Sequence, residues 1–153
     1  MENLERIIAE HSFFAGLDKQ FMSLLVGCAS NVHFKAGTYI LKEGSQADTF
    51  YLIRSGKVAV EVVAPQSRPI IVQTLEVGEV LGWSWLLPPF QWKFHARAVA
   101  DVRALALDGK CLRTKCEENH DLGYEVLKRF GQIMVDRLEA TRLQLLDVYA
   151  VRR

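Results

Sequence analysis

The spacing of apolar residues divides the chain into three zones, the first of which is helical. In residues 1–30, Leu4, Ile7 and Ile8 recur at helical spacing, and a second run of apolar residues follows Asp18. Ser12 and Asp18 are residue types that cap helix N-termini. The pattern predicts two short amphipathic helices, with caps at these two positions.

The second zone, residues 31–107, consists of short β-rich runs separated by glycines. Four runs each predict a strand: 38–41, 49–53, 57–63 and 70–75. Glycines stand between them, where turns are needed. Short strands at this near-regular spacing are typical of a sandwich or a small barrel.

The third zone is helical again and begins at Asp108, the predicted N-cap of a short helix over 108–119. A long helix is predicted from about Asp121 to the end of the chain. Its apolar positions nearly follow a 3.5-residue period and are Leu127, Met134, Leu138, Leu145 and Val148. Such a seam favours pairing of this helix between two subunits, although packing on its own barrel would explain the same pattern. We therefore divide the chain into a β-rich domain that includes the N-terminal helices, 1–119, and a long C-terminal dimerisation helix, 120–153.

Composition narrows the class of protein further. The chain has 153 residues, enough for one sizeable core, and a formal net charge of +1, without the basic balance of general nucleic-acid binders. No apolar run is long enough for a membrane helix, and the acidic N-terminus lacks a signal core. Three cysteines without a close pair suit reduced thiols better than a disulfide framework. These features predict a cytoplasmic protein with no membrane partner.

Three stretches of the chain carry a resemblance to a known family. They are 13–17 (FFAGL), 34–58 (FKAGTYILKEG, continuing through FYLIRSGKV) and 78–98 (GEVLG, leading to ARA). In these stretches the chain resembles the cyclic-nucleotide-binding domains, the family of the catabolite activator protein and of the protein kinase A regulatory subunit. The resemblance implies a mainly β fold, an eight-stranded jelly-roll barrel with N-terminal helices and a long C-terminal helix.

The resemblance also implies where a ligand would bind. In the family, a cassette between two strands carries a short helix whose N-terminus presents free N–H groups to a phosphate. A glutamate early in the cassette binds the ribose, and an arginine nine residues later pairs with the cyclic phosphate.

Both polar ligands of the family cassette are replaced here. Gly82 matches the cassette glycine, which puts Trp83 at the glutamate position and Trp92 at the arginine position. An indole has one donor and no acceptor, so neither residue can take over the charged role. Strand alternation sends Trp92 and Phe94 inward and the neighbouring Lys93 outward. Binding of cAMP or cGMP in the family's usual way is therefore not expected.

Three interpretations of this aromatic cassette remain open. The aromatic side chains could fill the former pocket as core, which would leave a ligand-independent interaction module. They could instead line a site for a flatter or more apolar ligand, or bind cAMP or cGMP through tryptophan stacking and backbone amides. The candidate ligand-binding residues are Gly82, Trp83, Ser84, Trp85, Trp92, Lys93 and Phe94.

Other chemistries find little support in the sequence. The four histidines are scattered, and no phosphate loop, nucleophile elbow or HExxH motif is present, so we predict neither a catalytic site nor a metal site. The arginines of the terminal helix alternate with carboxylates, and no winged helix-turn-helix follows, so DNA binding by this chain is not expected. The sequence thus predicts a non-enzymatic regulatory module that has no assigned cofactor, with a cyclic nucleotide left as the open alternative. The predicted partners are a second copy of the chain and another signalling protein.

Overall fold

Two four-stranded antiparallel sheets form the centre of the structure, a computed structural model that describes residues 4–151. The strands are β1 (Ala29–Phe34), β2 (Tyr39–Leu41), β3 (Thr49–Ser55), β4 (Val58–Val62), β5 (Ile70–Leu75), β6 (Val80–Leu81), β7 (His95–Ala98) and β8 (Val102–Asp108). One sheet has the order β1-β8-β3-β6, and the other has the order β2-β7-β4-β5. The mainly β jelly-roll expectation is confirmed.

Among the described residues, four α-helices lie before and after the strands in the chain. They are α1 (Leu4–Glu10), α2 (Lys19–Val26), α3 (Gly109–Glu118) and α4 (His120–Val151). The predicted extension of the last helix through Arg152 and Arg153 lies outside the described residues. Asp108 caps α3 as predicted, since its side chain accepts a hydrogen bond from the Cys111 N–H at 3.0 Å.

Ser12 does not have the capping role that the sequence predicts. It opens a short 3-10 turn, Ser12–Phe14, whose cap is His11, with Nδ1 accepting from the Phe13 N–H. The Ser12 hydroxyl donates instead to the carbonyl of Gly78 at 3.0 Å. This bond links the N-terminal segment to the turn before β6, a tertiary contact that no local pattern encodes.

The buried apolar residues form two clusters. The barrel cluster lies between the sheets, and the helical cluster joins the outer side of the first sheet to α1, α2 and the first half of α4. Arg129 fastens α4 to the N-terminal segment, because its guanidinium donates to the carbonyls of Phe13 and Ala15, both at 2.9 Å. Within residues 4–151, no helix has both the length and the hydropathy required to cross a bilayer.

Two of the three cysteines form a disulfide, so the expectation that all of them are reduced is wrong. Cys28 and Cys111 are bonded to each other with their Cα atoms 5.7 Å apart, and Cys116 is free. The β1–β8 register explains the pairing. Ala29 lies opposite Leu107, and the Asp108 N–H donates to the Cys28 carbonyl, which brings the end of α2 against the start of α3.

Candidate functional site

The candidate cassette follows β6 and begins at Gly82. The φ angle of Gly82 is 96°, a left-handed conformation that favours glycine. A Cβ atom at this position would lie 2.4 Å from Cη2 of Trp92. The indole of Trp92 therefore packs directly on the cassette backbone, at a distance that only glycine allows.

Trp92 itself is buried in the barrel. Its side chain is 3% exposed and belongs to the barrel cluster with Leu81 and Ala96. Its backbone is fixed on both sides, because its N–H donates to the Ser45 carbonyl at 3.0 Å and its own carbonyl accepts from the Gly44 N–H at 2.9 Å. The side chain that the sequence predicts at the family's arginine position is thus a core side chain.

Trp83 lies at the edge of the cassette and contacts the terminal helix. It is half-buried, and the guanidinium of Arg137 lies 4.6 Å from its ring centroid. The same guanidinium donates a hydrogen bond to the carbonyl of Val80. Burial lowers the pKa of Arg137 to about 10, with a smaller opposing effect from the Glu79 carboxylate. At this pKa Arg137 stays cationic near neutral pH, so a charged contact joins α4 to the cassette.

Trp85 lies outside the barrel, in the helical cluster. Its exposure is 0%, its ring stacks on Phe50 with centroids 4.8 Å apart, and it meets Phe130 of α4 edge-on at 5.4 Å. Its indole N–H is buried and has no acceptor among the described residues. Trp85 therefore joins the first sheet to α4 by apolar packing.

The short helix that the resemblance implies for the cassette is not formed. Residues 82–91, all of them described, contain two turns, at 84–85 and 88–89, with the Leu86 N–H donating to the Trp83 carbonyl at 3.0 Å. Ser84 lies within the first of these turns and is half-buried. The two prolines at 88 and 89 disfavour helical geometry at Leu87 and Pro88, because the residue before a proline is biased away from it, so they limit the length of any helix here. The interpretation in which backbone N–H groups of the cassette bind an anionic ligand thus lacks the helix N-terminus that would present them.

Strand alternation around β7 agrees with the sequence prediction for most positions. Trp92 and Ala96 are buried and Phe94 is half-buried, whereas Lys93 is exposed. Arg97 also lies on the outer face, where it is half-buried. It forms an ion pair at 3.2 Å with Glu61, whose side chain is only 6% exposed. This pair fixes β7 to β4 on the outer face of the second sheet.

The predicted dimerisation residues occupy one face of α4 that is mostly solvent-exposed. Leu127, Leu138, Leu145 and Val148 are 54%, 53%, 56% and 49% exposed. Met134 differs, since it is half-buried and packs against the helical cluster. A different face carries Leu122, Val126 and Phe130 into the core. Apart from Met134, packing on its own domain therefore uses a face of the helix other than the seam.

Sequence reasoning missed Arg137, Glu61 and Arg113. Arg113, on α3, donates to the carbonyl of Trp85 and lies over the ring of Phe90. Arg137 has a detectable signal, since it follows Phe130 and Ile133 at helical spacing and so is a charge on the buried face of α4. The partners of Glu61 and Arg113 depend on tertiary contacts and leave no local signal. Within the described part of the chain, His, Cys, Asp and Glu side chains form no group of three that could hold a metal.

The paired sheets, the glycine-led loop after β6 and the flanking helices define a jelly-roll domain with an internal cassette. The family model of the cyclic nucleotide-binding domain matches residues 31–119, which is more than half of the chain. The chain belongs to the cyclic nucleotide-binding domain family, whose members are regulatory and sensor domains. The family resemblance noted in the sequence is confirmed.

Curated relatives and a solved structure agree with this assignment. The "CRP-like cAMP-activated global transcriptional regulator" of Mycobacterium tuberculosis is 24% identical over 145 residues, 95% of this chain and 63% of the regulator. The "cAMP-dependent protein kinase regulatory subunit" of Dictyostelium discoideum is 28% identical over 112 residues, 73% of this chain and 34% of the subunit. This chain thus spans less than two thirds of both relatives. A cyclic nucleotide-binding domain from Methylobacillus flagellatus has the same fold, with a TM-score of 0.79, 18% identity and coverage of 94% of this chain and 81% of that one.

Proposed function

We propose that this chain is a non-enzymatic regulatory module that acts through protein contacts, as a homodimer, with its nucleotide cassette filled by its own aromatic side chains. The observation that carries the proposal is the contact of Trp92 with Gly82 inside the barrel, with Trp92 only 3% exposed. A cyclic phosphate held at the family's arginine position would compete with this buried indole.

The chemistry of the cassette supports the same proposal. The family binds the ribose through a glutamate and the phosphate through an arginine, and Trp83 and Trp92 stand at these two positions. A charge-assisted hydrogen bond contributes about 1.5–3 kcal/mol to the free energy of binding. With tryptophan at both positions, neither the bond to the ribose nor the bond to the phosphate can form in the family's way. Binding at the family's usual strength would require other contacts to replace that free energy.

The alternative functions are a sensor of a non-standard ligand and a genuine cAMP or cGMP receptor. The name of the mycobacterial relative, which includes cAMP activation, is the reason to test the second of these directly. Stacking on Trp83 and hydrogen bonds from the backbone amides of 83–85 would then have to replace the missing charges.

Titration with cAMP and then cGMP is expected to leave the tryptophan emission unchanged up to at least micromolar concentrations. All three tryptophans lie at 83–92, so a ligand in the cassette would alter the environment of at least one of them. The measurement is intrinsic fluorescence with red-edge excitation, with 5′-AMP as a control for nucleotide absorption. A saturable change in emission that occurs with cAMP or cGMP but not with 5′-AMP would contradict a cassette filled by its own side chains.

The arrangement of apolar residues on α4 supports the homodimer. Leu127, Leu138 and Leu145 share one face, are more than half exposed and have a near-heptad spacing. A set of large exposed apolar side chains on one helix face is typical of a protein interface. A second copy of the chain, paired along the same helix, would bury this face on both sides.

Charged substitution of the seam is expected to separate the subunits. The native chain should sediment at about twice its mass of 17.4 kDa at tens of micromolar, and the double variant Leu138→Lys, Leu145→Lys should sediment as a monomer. The matched control is Leu143→Lys, since Leu143 is 63% exposed but lies on a different face of the helix. Sedimentation velocity makes the comparison, and a monomeric native chain would contradict the proposed dimer.

A further inference from the structure

An apolar groove of about 600 Å³ lies outside the barrel, between the cassette loop and the junction of α3 with α4. One wall consists of loop residues 86–88 and Phe90, and the other includes Tyr124, Val126 and Leu127 of α4. This volume is within the range of small-molecule sites, about 300–1,000 Å³. The groove is separate from the barrel interior that Trp92 fills.

Arg113 brings a positive charge into this groove. Its guanidinium lies 4.2 Å from the ring centroid of Phe90, and one of its N–H groups donates to the carbonyl of Trp85. Glu117 is four residues further along α3, but the two side chains form no ion pair. A guanidinium has five N–H donors, and the remaining ones of Arg113 have no acceptor among the described residues. The charge is therefore held in place by an aromatic ring and a carbonyl, without a neutralising carboxylate.

The wall beneath Arg113 is built with a strained residue. Phe90 has a φ angle of 55°, which is unusual for a bulky side chain and is found where surrounding contacts enforce it. Two backbone bonds hold it there, from its own N–H to the Leu87 carbonyl at 3.1 Å and from the Ala47 N–H to its carbonyl at 2.7 Å. The aromatic wall is thus fixed before any ligand arrives.

The remaining polar lining of the groove is limited. Glu117 and His120 are exposed, and Cys116 is half-buried. Burial, and to a lesser extent the nearby Glu117 carboxylate, raises the pKa of the Cys116 thiol, so it stays neutral near pH 7. Glu117 is the group that opposes an anion here, and its exposure to solvent weakens that opposition.

We propose that this groove binds a small amphiphilic carboxylate, with the apolar part between the cassette loop and α4 and the carboxylate paired to Arg113. An arginine fork matches a carboxylate geometrically, and its unused donors face no protein acceptor. Such a ligand would touch both the cassette loop and the start of the dimerisation helix. The groove lies outside the barrel interior, but it shares the cassette loop with the nucleotide site and Leu127 with the proposed dimer seam.

Dodecanoate, kept below its micelle concentration, is the probe for this site. Isothermal titration calorimetry with the full chain is expected to show saturable binding of one molecule per chain. Dodecanol and dodecyltrimethylammonium, with the same tail but no carboxylate, should bind at least roughly tenfold more weakly, because they lack the charge-assisted pair.

Variants of the chain test which residue binds the carboxylate of dodecanoate. Arg113→Gln is expected to weaken dodecanoate binding by roughly tenfold or more, whereas Glu117→Gln should leave it equal or tighter. The matched control, Arg103→Gln, removes an exposed arginine on β8, away from the groove, and should have no effect. Thermal melting establishes that each variant is folded.

Two results would overturn the inference. One is the absence of saturable dodecanoate binding to the native chain. The other is equal binding of the three dodecyl compounds. This result would mean that the groove binds any apolar tail and that Arg113 does not pair with the carboxylate. This second comparison uses only the native chain, so it remains decisive even if Arg113→Gln does not fold. Nucleotide titrations are a separate measurement, and their outcome does not affect this one.

Discussion

Replacing Trp92 by alanine is expected to lower the free energy of unfolding by about 3–5 kcal/mol. The side chain is 3% exposed and packs against the Gly82 backbone in the barrel cluster. Truncation removes the transfer free energy of the indole and leaves a cavity that the two sheets cannot fully close. Urea denaturation followed by far-ultraviolet circular dichroism measures the difference.

The matched control for this variant is Leu87→Ala in the same loop. Leu87 is 58% exposed, so its truncation should change stability by no more than about 0.5 kcal/mol. If Trp92→Ala were as mild as this control, Trp92 would not be a core residue. The interpretation of the cassette as filled by its own side chain would then fail.

Loss of the Cys28–Cys111 disulfide is expected to destabilise the chain by about 2–4 kcal/mol. The bond joins residues 83 positions apart and so restricts a large part of the unfolded chain. Either mild reduction or the Cys28→Ser variant should produce this loss, seen as a lower urea midpoint. Cys116→Ser serves as the control, since Cys116 is the free cysteine and is only half-buried.

The disulfide prediction has a direct chemical check. Thiol counting on the denatured, unreduced protein should find one reactive cysteine per chain, Cys116. Three reactive thiols, together with an unchanged urea midpoint on reduction, would contradict the bond.

The regular elements could be predicted from local pattern alone. The run 70–75 is a strand with the predicted bounds, and Asp108 caps α3 as its residue type and position indicate. Strand alternation also predicts that Trp92 and Phe94 lie on the inner face, where Trp92 is buried and Phe94 half-buried. These features depend on residues that are close in sequence, and their chemistry is visible in a short window.

Features that depend on the register between distant strands could not be predicted. Arg97 meets Glu61 only because β7 pairs with β4, and Cys28 meets Cys111 only because β1 pairs with the end of β8. The prediction of a helix in the cassette was wrong for a different reason. The helix was expected from the resemblance, while the local sequence around Pro88 and Pro89 disfavours a helix.

The terminal helix has a first half that is packed on the domain and a second half that has little contact with it. Arg129 and Arg137 hold the first half to the domain, and all side chains from Leu138 to Ala150 are exposed, with Gln144 touching the carbonyl of Val72. Isolated helical segments of this length are marginal in water and gain most of their stability from packing. In the proposed dimer, the second half would therefore fold and associate in a single step, and its order would depend on the concentration of the protein.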